Sequence, residues 1–406
     1  MVYVVRDLEI ELEKYLGKTE MLAVLGPRQC GKTTMLENML AKQKSIGKKV
    51  HEVSFDDVKL RQLFENDTDS FIELHVKGFD LIFIDEAHYS KQSGRILKYI
   101  FDKTKAKIIF TGSSAIELSL QSMKYLVGRV LLFELLPFSF KEYIRATNPK
   151  MEPLLEKNVY GEEIIEQINK SLNEFMLFGG YPKVVLEKTE DEKVKVIESI
   201  YATLILREIK DLAKLSDDYK LISLLEKLAV QTGSIINYDE LCTVTGLKYS
   251  ELKRTLNVLE KAFIIKQLKP FFRNKNKEIA KAPKIFFYDT GLRNAIMNNF
   301  SKIRADEGAI IENYALSEIL KQGLEPKYWR TKAGAEIDFI IEKKGTILPI
   351  EVKKQIKPEQ IPRAIHSFMD EYKSKKAIIL SMQTKNTQPK IIHELLQQTL
   401  TIKRYL

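Results

Sequence analysis

The sequence predicts an α/β fold that begins with a parallel sheet covered by helices on both faces. Two observations lead to this prediction. Up to about residue 135, short apolar strand patterns alternate with helical patterns, as they do in parallel sheets. A glycine-containing loop also stands directly between the first strand pattern and a helical pattern. The strand patterns cover residues 21–25, 50–54, 80–84, 107–111 and 130–134.

The loop after the first strand has the spacing G-x-x-x-x-G-K-S/T of a phosphate-binding loop. Gly26 and Gly31 let backbone N–H groups turn toward phosphate oxygens, and the helix that follows directs the positive end of its dipole at the anion. Lys32 reaches the β- and γ-phosphates, and the Thr33 hydroxyl binds Mg²⁺. The sequence therefore predicts a P-loop NTPase sheet with ATP and Mg²⁺ as cofactors. The predicted nucleotide-binding residues are Gly26, Pro27, Arg28, Gln29, Cys30, Gly31, Lys32, Thr33 and Thr34.

The third strand pattern ends in two acids, Asp85 and Glu86. We expect Asp85, at the tip of the strand, to hold Mg²⁺ through water. Glu86 is expected to polarise the attacking water as a general base. The alternative is an ordinary strand that leaves the core at two polar residues.

Two further residues are candidates for a catalytic role in nucleotide hydrolysis. The fourth strand pattern is followed by Gly112-Ser-Ser, where a polar side chain can contact the γ-phosphate or the water, and we favour Ser113 over Ser114. Arg129 is a candidate to supply positive charge to the transition state. A solvated or structural arginine is the alternative interpretation of Arg129.

Length and composition restrict the class of protein. A chain of 406 residues is too long for one core, so two or three domains are expected. Its 44% hydrophobic and 30% charged residues are typical of a globular protein, and no apolar stretch reaches the length of about eighteen residues that a membrane span needs. The first residues lack the pattern of a signal peptide, and the two cysteines form no disulfide framework. We therefore expect a cytoplasmic protein without a membrane partner.

The net charge of +10 is unevenly distributed along the chain. Residues 1–215 carry 32 Lys and Arg against 33 Asp and Glu, whereas residues 216–406 carry 33 against 22. The basic excess lies in the second half, so an acidic partner such as DNA is expected to bind there. A lysine-rich solvated surface is the alternative.

The middle of the chain predicts two helical regions. Residues 138–215 are rich in helical patterns and predict a helical lid on the nucleotide-binding sheet. Residues 216–270 have the order helix, helix and strand with Gly246 in the turn, which is the plan of a winged helix-turn-helix. The helix from Ser250 to Lys261 would be the recognition helix if this region met DNA, and a plain contact with protein is the alternative. Its basic residues are Lys253, Arg254 and Lys261, with Lys248 just before it.

The last segment, from about residue 285, predicts a separate α/β domain with acids inside its strand patterns. Asp338 lies on one strand, Glu351 and Lys353 share one face of the next, and a β-hairpin would bring them together. With Glu312 on a preceding helix, the carboxylates supply the oxygen ligands that Mg²⁺ and Mn²⁺ prefer. Lys353 would orient a water or offset phosphate charge at such a metal site. Two amphipathic strands with polar faces are the alternative.

The two predicted sites together give the following catalytic residues and metal ligands. The predicted catalytic residues are Glu86, Arg129 and Ser113 for the nucleotide and Glu351 and Lys353 for the last domain. The predicted metal ligands are Thr33, Asp85, Glu312, Asp338 and Glu351.

A series of short motifs follows in a fixed order along essentially the whole chain. They are Gly26-Pro-Arg-Gln-Cys-Gly-Lys-Thr33, Ile84-Asp-Glu-Ala-His88, Thr111-Gly-Ser-Ser-Ala115, Val127-Gly-Arg-Val130, Leu136-Pro-Phe-Ser139, Phe178-Gly-Gly-Tyr-Pro182, Asp289-Thr-Gly-Leu292, Glu336-Ile-Asp-Phe339 and Ile350-Glu-Val-Lys353. In this combination the chain resembles the bacterial and archaeal AAA-type ATPases whose C-terminal domain belongs to a large group of unknown function.

The resemblance implies a P-loop ATPase core, a winged-helix element and a C-terminal domain similar to PD-(D/E)xK nucleases. In that nuclease pattern Asp338 and Glu351 match the two acids, Lys353 matches the lysine, and Glu312 matches the upstream helix acid. Glu-Ile-Asp stands here where the pattern usually has Pro-Asp. AAA-type sites often lie at subunit interfaces, so a homo-oligomer is expected in which Arg129 completes a neighbour's site.

These observations predict four regions: a P-loop ATPase core over residues 1–136, a helical lid over 137–215, a winged helix-turn-helix over 216–284 and a nuclease-like α/β domain over 285–406. The predicted function is ATP hydrolysis linked to action on nucleic acid through the second half of the chain. The alternative is a nucleotide-dependent switch or adaptor whose C-terminal domain binds a protein partner and is not catalytic.

Overall fold

The structure is a computed structural model that divides the chain into two compact units. The first unit comprises Met1–Pro137 with Lys261–Phe263, and the second comprises Phe138–Glu260 with Ile264–Leu406. The described residues are 3–112, 124–155, 161–203, 209–215, 217–272, 281–355, 361–382 and 391–406.

The described strands of the first unit form a parallel sheet in the order β2-β3-β4-β1-β5. Every residue of β1, β3 and β4 is buried, whereas β2 and β5 at the two edges are only partly buried. Apolar residues at nearly every position are typical of inner strands that helices cover on both faces. The predicted parallel sheet is confirmed. The strands are β1 (Met21–Leu25), β2 (Val50–Ser54), β3 (Leu81–Asp85), β4 (Lys107–Gly112) and β5 (Val130–Glu134).

Helices of the first unit pack on this sheet through apolar side chains. Leu22 and Val24 of β1 share one buried cluster with Met35, Leu36 and Met39 of the helix after the phosphate loop. Aspartates cap two other helices and accept hydrogen bonds from their first free N–H groups. The helices are α1 (Asp7–Glu13), α2 (Lys32–Ser45), α3 (Val58–Asn66), α4 (Thr68–His75) and α5 (Ser93–Lys103).

The second unit begins with helices, and a Ser139–Glu142 capping box starts the first of them. This helical content agrees with the sequence pattern, while the predicted role as a lid stays a prediction. Among the described helices, none has both the length and the apolar character required to cross a membrane. The helices are α6 (Phe140–Thr147), α7 (Glu162–Phe178), α8 (Pro182–Val185), α9 (Glu190–Ile200) and α10 (Lys210–Ala213).

Two motifs of the sequence interlock inside the second unit. The backbone N–H of Gly180 donates to the buried carboxylate of Asp289 over 2.7 Å. A Cβ atom on Gly179 would stand 2.1 Å from that carboxylate, and one on Gly291 would stand 2.0 Å from the carbonyl oxygen of Phe178. Only glycine leaves room for this approach. The motifs Phe178-Gly-Gly-Tyr-Pro182 and Asp289-Thr-Gly-Leu292 therefore stabilise the fold.

The next elements of the second unit follow the order predicted for a winged helix-turn-helix. Gly246 ends the second helix in a left-handed conformation with φ 65°, and β6 pairs antiparallel with β7. The further step, that this element is a winged helix acting on DNA, stays a prediction. The elements are α11 (Asp218–Val230), α12 (Tyr238–Thr245), α13 (Tyr249–Lys261), β6 (Ile265–Leu268) and β7 (Lys284–Phe287).

The C-terminal part of the second unit contains a separate sheet with the described strand order β12-β11-β10-β9-β8. Its β9 and β10 form the predicted antiparallel hairpin, with Phe339 opposite Ile350. The separate α/β domain is thus confirmed. The elements are α14 (Thr290–Ile296), α15 (Glu307–Lys321), β8 (Lys327–Arg330), β9 (Glu336–Lys343), β10 (Thr346–Lys353), α16 (Arg363–Tyr372), β11 (Ala377–Ser381) and β12 (Ile391–Leu395).

Candidate nucleotide site and acidic cluster

The phosphate loop joins β1 to α2 at the carboxyl edge of the first sheet. Gly31 has φ 91°, and a Cβ atom on Gly26 would stand 2.0 Å from the carbonyl oxygen of Leu135, so both positions require glycine. The Lys32 ammonium donates to the carbonyl oxygens of Gly26 and Pro27, each over 2.9 Å. The loop thus holds the lysine charge where the motif requires a phosphate contact.

The Arg6 side chain anchors the phosphate loop through hydrogen bonds to backbone carbonyl groups, a role that was not predicted from the sequence. Its guanidinium donates to the carbonyl oxygen of Cys30 over 2.7 Å and to that of Leu136 over 2.6 Å. The Cys30 thiol is buried and donates to the carbonyl oxygen of Leu135 over 3.2 Å. The Cys30 side chain therefore faces the protein, and only its backbone N–H remains for a phosphate. An arginine 24 residues upstream of a loop carries no sequence signal of this contact.

Hydroxyl groups surround Asp85 at the tip of β3. The Thr33 hydroxyl donates to one carboxylate oxygen of Asp85 over 3.0 Å, and the Thr111 hydroxyl donates to the other. The backbone N–H of Glu86 donates to Thr111 over 2.9 Å. Because β3 and β4 are neighbours, Thr111 joins both acids. Ser113, the residue predicted for the polar position after β4, lies outside the described residues, and the contact of Thr111 was not predicted.

Glu86 follows β3 in a left-handed conformation with φ 52°, which favours glycine. Its carboxylate lies 2.9 Å from Nδ1 of the buried His88. Burial acts to raise the pKa of Glu86, but the hydrogen bond and charge of His88, with the charges of Lys32 and Arg28, outweigh it and lower that pKa. Glu86 is therefore a carboxylate near neutral pH. His88 contributes to the lowered pKa of Glu86, a role that was not predicted from the sequence.

The predicted acids and lysine of the last domain lie together in the structure. The backbone N–H of Val352 donates to Asp338 over 2.8 Å, and the Lys353 ammonium lies 2.7 Å from Oε1 of Glu351. Asp338 and Glu351 are both buried. Oε2 of Glu351 has no hydrogen-bond partner among the described residues. We call Asp338, Glu351 and Lys353, together with Glu312 of α15, the acidic cluster.

Burial dominates the proton affinity of the acidic cluster. Burial, then the charge of Asp338, raises the pKa of Glu351 to about 7. The same two causes in the same order raise the pKa of Glu312 to about 8. Burial also raises the pKa of Asp338, against the charges of Lys353 and Lys284. The acids therefore tend to keep protons unless positive charge is added.

Lys284 of β7 is a second cation at this cluster that sequence reasoning missed. It is buried and forms an ion pair with Glu336 at the start of β9. Its charge lowers the pKa of both Glu312 and Asp338. Lys284 stands 54 positions before Asp338, so only the fold brings the two together.

The described residues contain no group of three or more His, Cys, Asp or Glu side chains placed to hold a metal ion together. The predicted metal ligands therefore stay a prediction. What the structure brings together is the pair Asp338 and Glu351 with Lys353, and Glu312 within electrostatic reach. In the nucleotide site it brings together Thr33 and Asp85.

Three family models match successive parts of the chain. The AAA domain matches residues 18–144, which include the phosphate loop, Asp85 and Glu86. Residues 18–144 are a AAA domain. Two domains of unknown function follow it, DUF8612 over residues 169–303 and DUF4143 over residues 307–399. The AAA-type P-loop prediction is thus confirmed, and the likeness of the C-terminal domain to nucleases stays a prediction.

Similar proteins include an uncharacterized protein of Methanocaldococcus jannaschii, 26% identical over 370 residues that cover 82% of this chain and 76% of that protein. An uncharacterized protein of Mycobacterium tuberculosis is 24% identical over 378 residues, covering 90% of this chain and 77% of that protein. Among solved structures, the Walker-type ATPase of Pyrococcus abyssi covers 73% of this chain and 96% of its own, with 16% identity and a TM-score of 0.48.

In the AAA domain, Arg129 lies directly before β5, at the amino edge of the sheet. The phosphate loop follows the carboxyl end of β1, so the two lie at opposite edges. The Arg129 guanidinium pairs with Asp102 over 2.9 Å. Arg129 therefore does not face the phosphate loop of its own chain, and its role at a neighbour's site stays a prediction.

Outside the AAA domain, the predicted recognition helix α13 presents polar side chains on one exposed face. The Lys253 ammonium lies 3.7 Å from the ring centre of Tyr238 and 5.5 Å from that of Tyr249. Arg254 donates to the carbonyl oxygen of Ala213 over 2.9 Å. The exposed residues of this face are Tyr249, Ser250, Lys253, Arg254 and Asn257.

Proposed function

We propose that this chain is an ATP-hydrolysing AAA-type protein that acts on nucleic acid through its second unit. The observation that carries the hydrolysis proposal is the contact of Thr33 and Thr111 with Asp85. This contact joins the phosphate loop to the strand β3, which directly precedes the proposed general base Glu86. Glu86 adjoins this set through its backbone hydrogen bond to Thr111.

Glu86 is the residue proposed to act on water. Its lowered pKa leaves it ionised, so it can accept the proton of a water whose oxygen attacks the γ-phosphorus of ATP. The bond from that phosphorus to the β–γ bridging oxygen breaks, and ADP leaves. Lys32 carries positive charge at the phosphate loop, where it offsets the charge that develops on the phosphate oxygens. Nδ1 of His88 lies 2.9 Å from the Glu86 carboxylate and helps to keep it ionised. The chain thus supplies base, cation and orientation from one edge of the sheet.

The donor set beside the phosphate loop fits Mg²⁺. A hydroxyl oxygen of Thr33 and a carboxylate oxygen of Asp85 lie 3.0 Å apart, and both are the hard oxygen ligands that Mg²⁺ takes. Thr33 would hold the ion directly, and Asp85 would hold it through water. When bound, the ion neutralises charge on the β- and γ-phosphates.

Two features support action on nucleic acid. The basic excess of the chain lies within residues 216–406, and a polyanion is the partner that such an excess attracts. The exposed face of α13 carries Lys253, Arg254 and Asn257, side chains that contact phosphates and base edges in other proteins. A homo-oligomer is part of the proposal, with Arg129 as the neighbour's contribution.

The test is the rate of ATP hydrolysis with and without double-stranded or single-stranded DNA. We expect hydrolysis that depends on Mg²⁺ and rises with DNA, and a DNA complex that weakens steeply with added salt. ATP hydrolysis that ignores DNA at every salt concentration would favour a nucleotide-dependent switch or adaptor for a protein partner. A chain that binds ATP without turnover would contradict the hydrolysis proposal itself.

A second candidate function is metal-dependent cleavage of nucleic acid at the acidic cluster. Glu351 supports this function, because its buried Oε2 is unbonded among the described residues, while its Oε1 lies 2.7 Å from the Lys353 ammonium. Asp338 and Glu351 would hold Mg²⁺ or Mn²⁺, which activates water and polarises a phosphate. Lys353 would contact the scissile phosphate.

The test of this second function is cleavage of DNA with Mg²⁺, with Mn²⁺ and with neither. Cleavage that requires metal, is lost in Asp338→Ala and leaves ATP hydrolysis intact supports the site. If calorimetry shows no metal binding and no DNA form is cut, the Lys353–Glu351 pair is a structural ion pair.

A further inference from the structure

Two turns of the C-terminal sheet are unusually basic. One connects β9 to β10, and the other connects α16 to β11. Residues 343–349 and residues 373–376 contain five lysines and no acid. We call these five residues the hairpin lysine patch: Lys343, Lys344, Lys373, Lys375 and Lys376.

A serine hydroxyl holds the two turns against each other. Oγ of Ser374 lies 2.6 Å from the carbonyl oxygen of Ile347 and 2.8 Å from that of Lys376. The strands that the turns enter are parallel neighbours, with Ile350 beside Ile378. The five lysines therefore lie along one edge of the sheet, at the end of β10 opposite to Glu351.

The charge of the hairpin lysine patch is not neutralised by an ion pair in the described part of the chain. Among the described residues, none of the five forms an ion pair, whereas Lys284, Lys321 and Lys353 each pair with a carboxylate. Four of the five side chains are exposed and one is partly buried. Their positive charge is thus available to a ligand.

We propose that the hairpin lysine patch binds the phosphate groups of double-stranded nucleic acid. Lysine ammonium groups bind phosphates as point charges, and several of them on one edge of the sheet can contact several phosphates of a duplex. This inference rests on the proposed action on nucleic acid and assigns it a surface. It is separate from α13 and from the acidic cluster.

An anionic membrane is the other polyanion that a lysine patch can meet. Membrane surfaces are bound more firmly when apolar or aromatic side chains enter beside the lysines. In the described part of residues 285–406, Ile303 before α15 is the one exposed large apolar side chain, and the described strands β8–β12 and helices α15 and α16 expose none. The structure therefore favours nucleic acid over a membrane.

The experiment measures binding of a fluorescent DNA duplex to the full chain over a range of salt concentrations. The patch variant changes all five lysines of the hairpin lysine patch to glutamine. A control variant with the same change in net charge alters exposed lysines of the first unit to glutamine. The control residues are Lys14, Lys18, Lys48, Lys49 and Lys59.

The patch variant is expected to bind at least about tenfold more weakly at physiological salt. Since each phosphate contact contributes about 0.9 to the slope of log affinity against log salt, that slope should fall by up to about 4. The control variant should bind within about twofold of wild type, because diffuse charge alone acts weakly at a Debye length of about 8 Å. ATP hydrolysis without DNA should be unchanged in both, which checks that they fold.

Each remaining outcome separates this inference from the proposed function. If the patch variant binds DNA with the affinity and salt slope of the wild type, while the double variant Lys253→Gln, Arg254→Gln loses binding, the patch is not the DNA-binding surface. The proposed action on nucleic acid then stands. If the wild-type protein binds phosphatidylserine vesicles but not DNA, and the patch variant loses vesicle binding, the patch is a membrane-binding surface and the proposal is wrong. If the wild-type protein binds neither DNA nor vesicles, both the patch proposal and the proposed action on nucleic acid are wrong.

Discussion

The nucleotide site and the acidic cluster both place carboxylates at buried strand ends, but the two sites balance that negative charge differently. Asp85 accepts hydrogen bonds from two threonine hydroxyls, and His88, Lys32 and Arg28 lower the pKa of Glu86 despite its burial. In the acidic cluster, burial and mutual repulsion exceed the effect of two lysines, and the pKa values of Glu351 and Glu312 rise to about 7 and about 8.

The difference indicates what each site lacks. The nucleotide site keeps its base ionised with groups of its own chain, so it requires only the nucleotide and its cation. The acidic cluster holds part of its protons at neutral pH, and a bound cation would make its acids ionise at lower pH. Changes in the first site should therefore alter catalysis, and changes in the second should alter the response to pH and to metal.

The largest effect is expected from Glu86→Gln in the nucleotide site. Loss of a general base should lower the rate of ATP hydrolysis by about 10²–10⁴-fold, while nucleotide affinity changes little, because only the transition state requires the base. Lys32→Ala is the contrasting variant and should weaken nucleotide binding itself. Equilibrium binding and single-turnover hydrolysis distinguish the two. Wild-type turnover in Glu86→Gln would mean that another residue positions the water.

Thr111→Val should give the next largest effect. It removes the hydroxyl that bonds Asp85 and accepts from the Glu86 N–H, leaving buried polar groups unpaired at a cost of about 1–3 kcal/mol in stability. Hydrolysis should fall by roughly tenfold for each 1.4 kcal/mol lost from the transition state. Thr111→Ser keeps the hydroxyl and should restore most of the rate. Equal rates in both variants would show that the hydroxyl is not used.

These two residues also show where sequence reasoning succeeds and where it ends. Glu86 was predicted because local spacing after a strand marks an acid of this kind. Thr111 was missed because its contact with Asp85 depends on which strands are neighbours, and the strand order is not encoded locally. Lys284 was missed for the same reason, since only tertiary packing brings it to Glu336. The strand positions, by contrast, follow from runs of apolar residues that the sequence displays directly.

The acidic cluster should make stability depend on pH. Glu312 and Glu351 have raised pKa values in the folded chain, so their stabilising contribution is complete below their ordinary value of 4.5 and is lost as pH rises through about 7 to about 8. We expect the free energy of unfolding to fall by a few kcal/mol across this window. Glu312→Gln should flatten this dependence, as followed by urea denaturation at several pH values.

Metal provides the control for that prediction. Mn²⁺ or Mg²⁺ bound at Asp338 and Glu351 should raise the melting temperature more at about pH 8 than at about pH 5.5, since ligands must lose their protons first. Asp338→Asn should remove the metal effect while the nucleotide effect on melting remains. A metal effect that is the same at both pH values would argue against binding at raised-pKa acids.

The smallest effect within one chain is expected from Arg129→Ala. Its ion pair with Asp102 is partly exposed, and pairs of this kind contribute about 0–1 kcal/mol. Asp102→Ala is the matched control, because it breaks the same pair without removing the arginine. If Arg129 acts at a neighbour's nucleotide, Arg129→Ala should lower ATP hydrolysis at high protein concentration and Asp102→Ala should not. Equal hydrolysis in both variants at every concentration would leave Arg129 as a structural residue and remove the argument for an oligomer built on it.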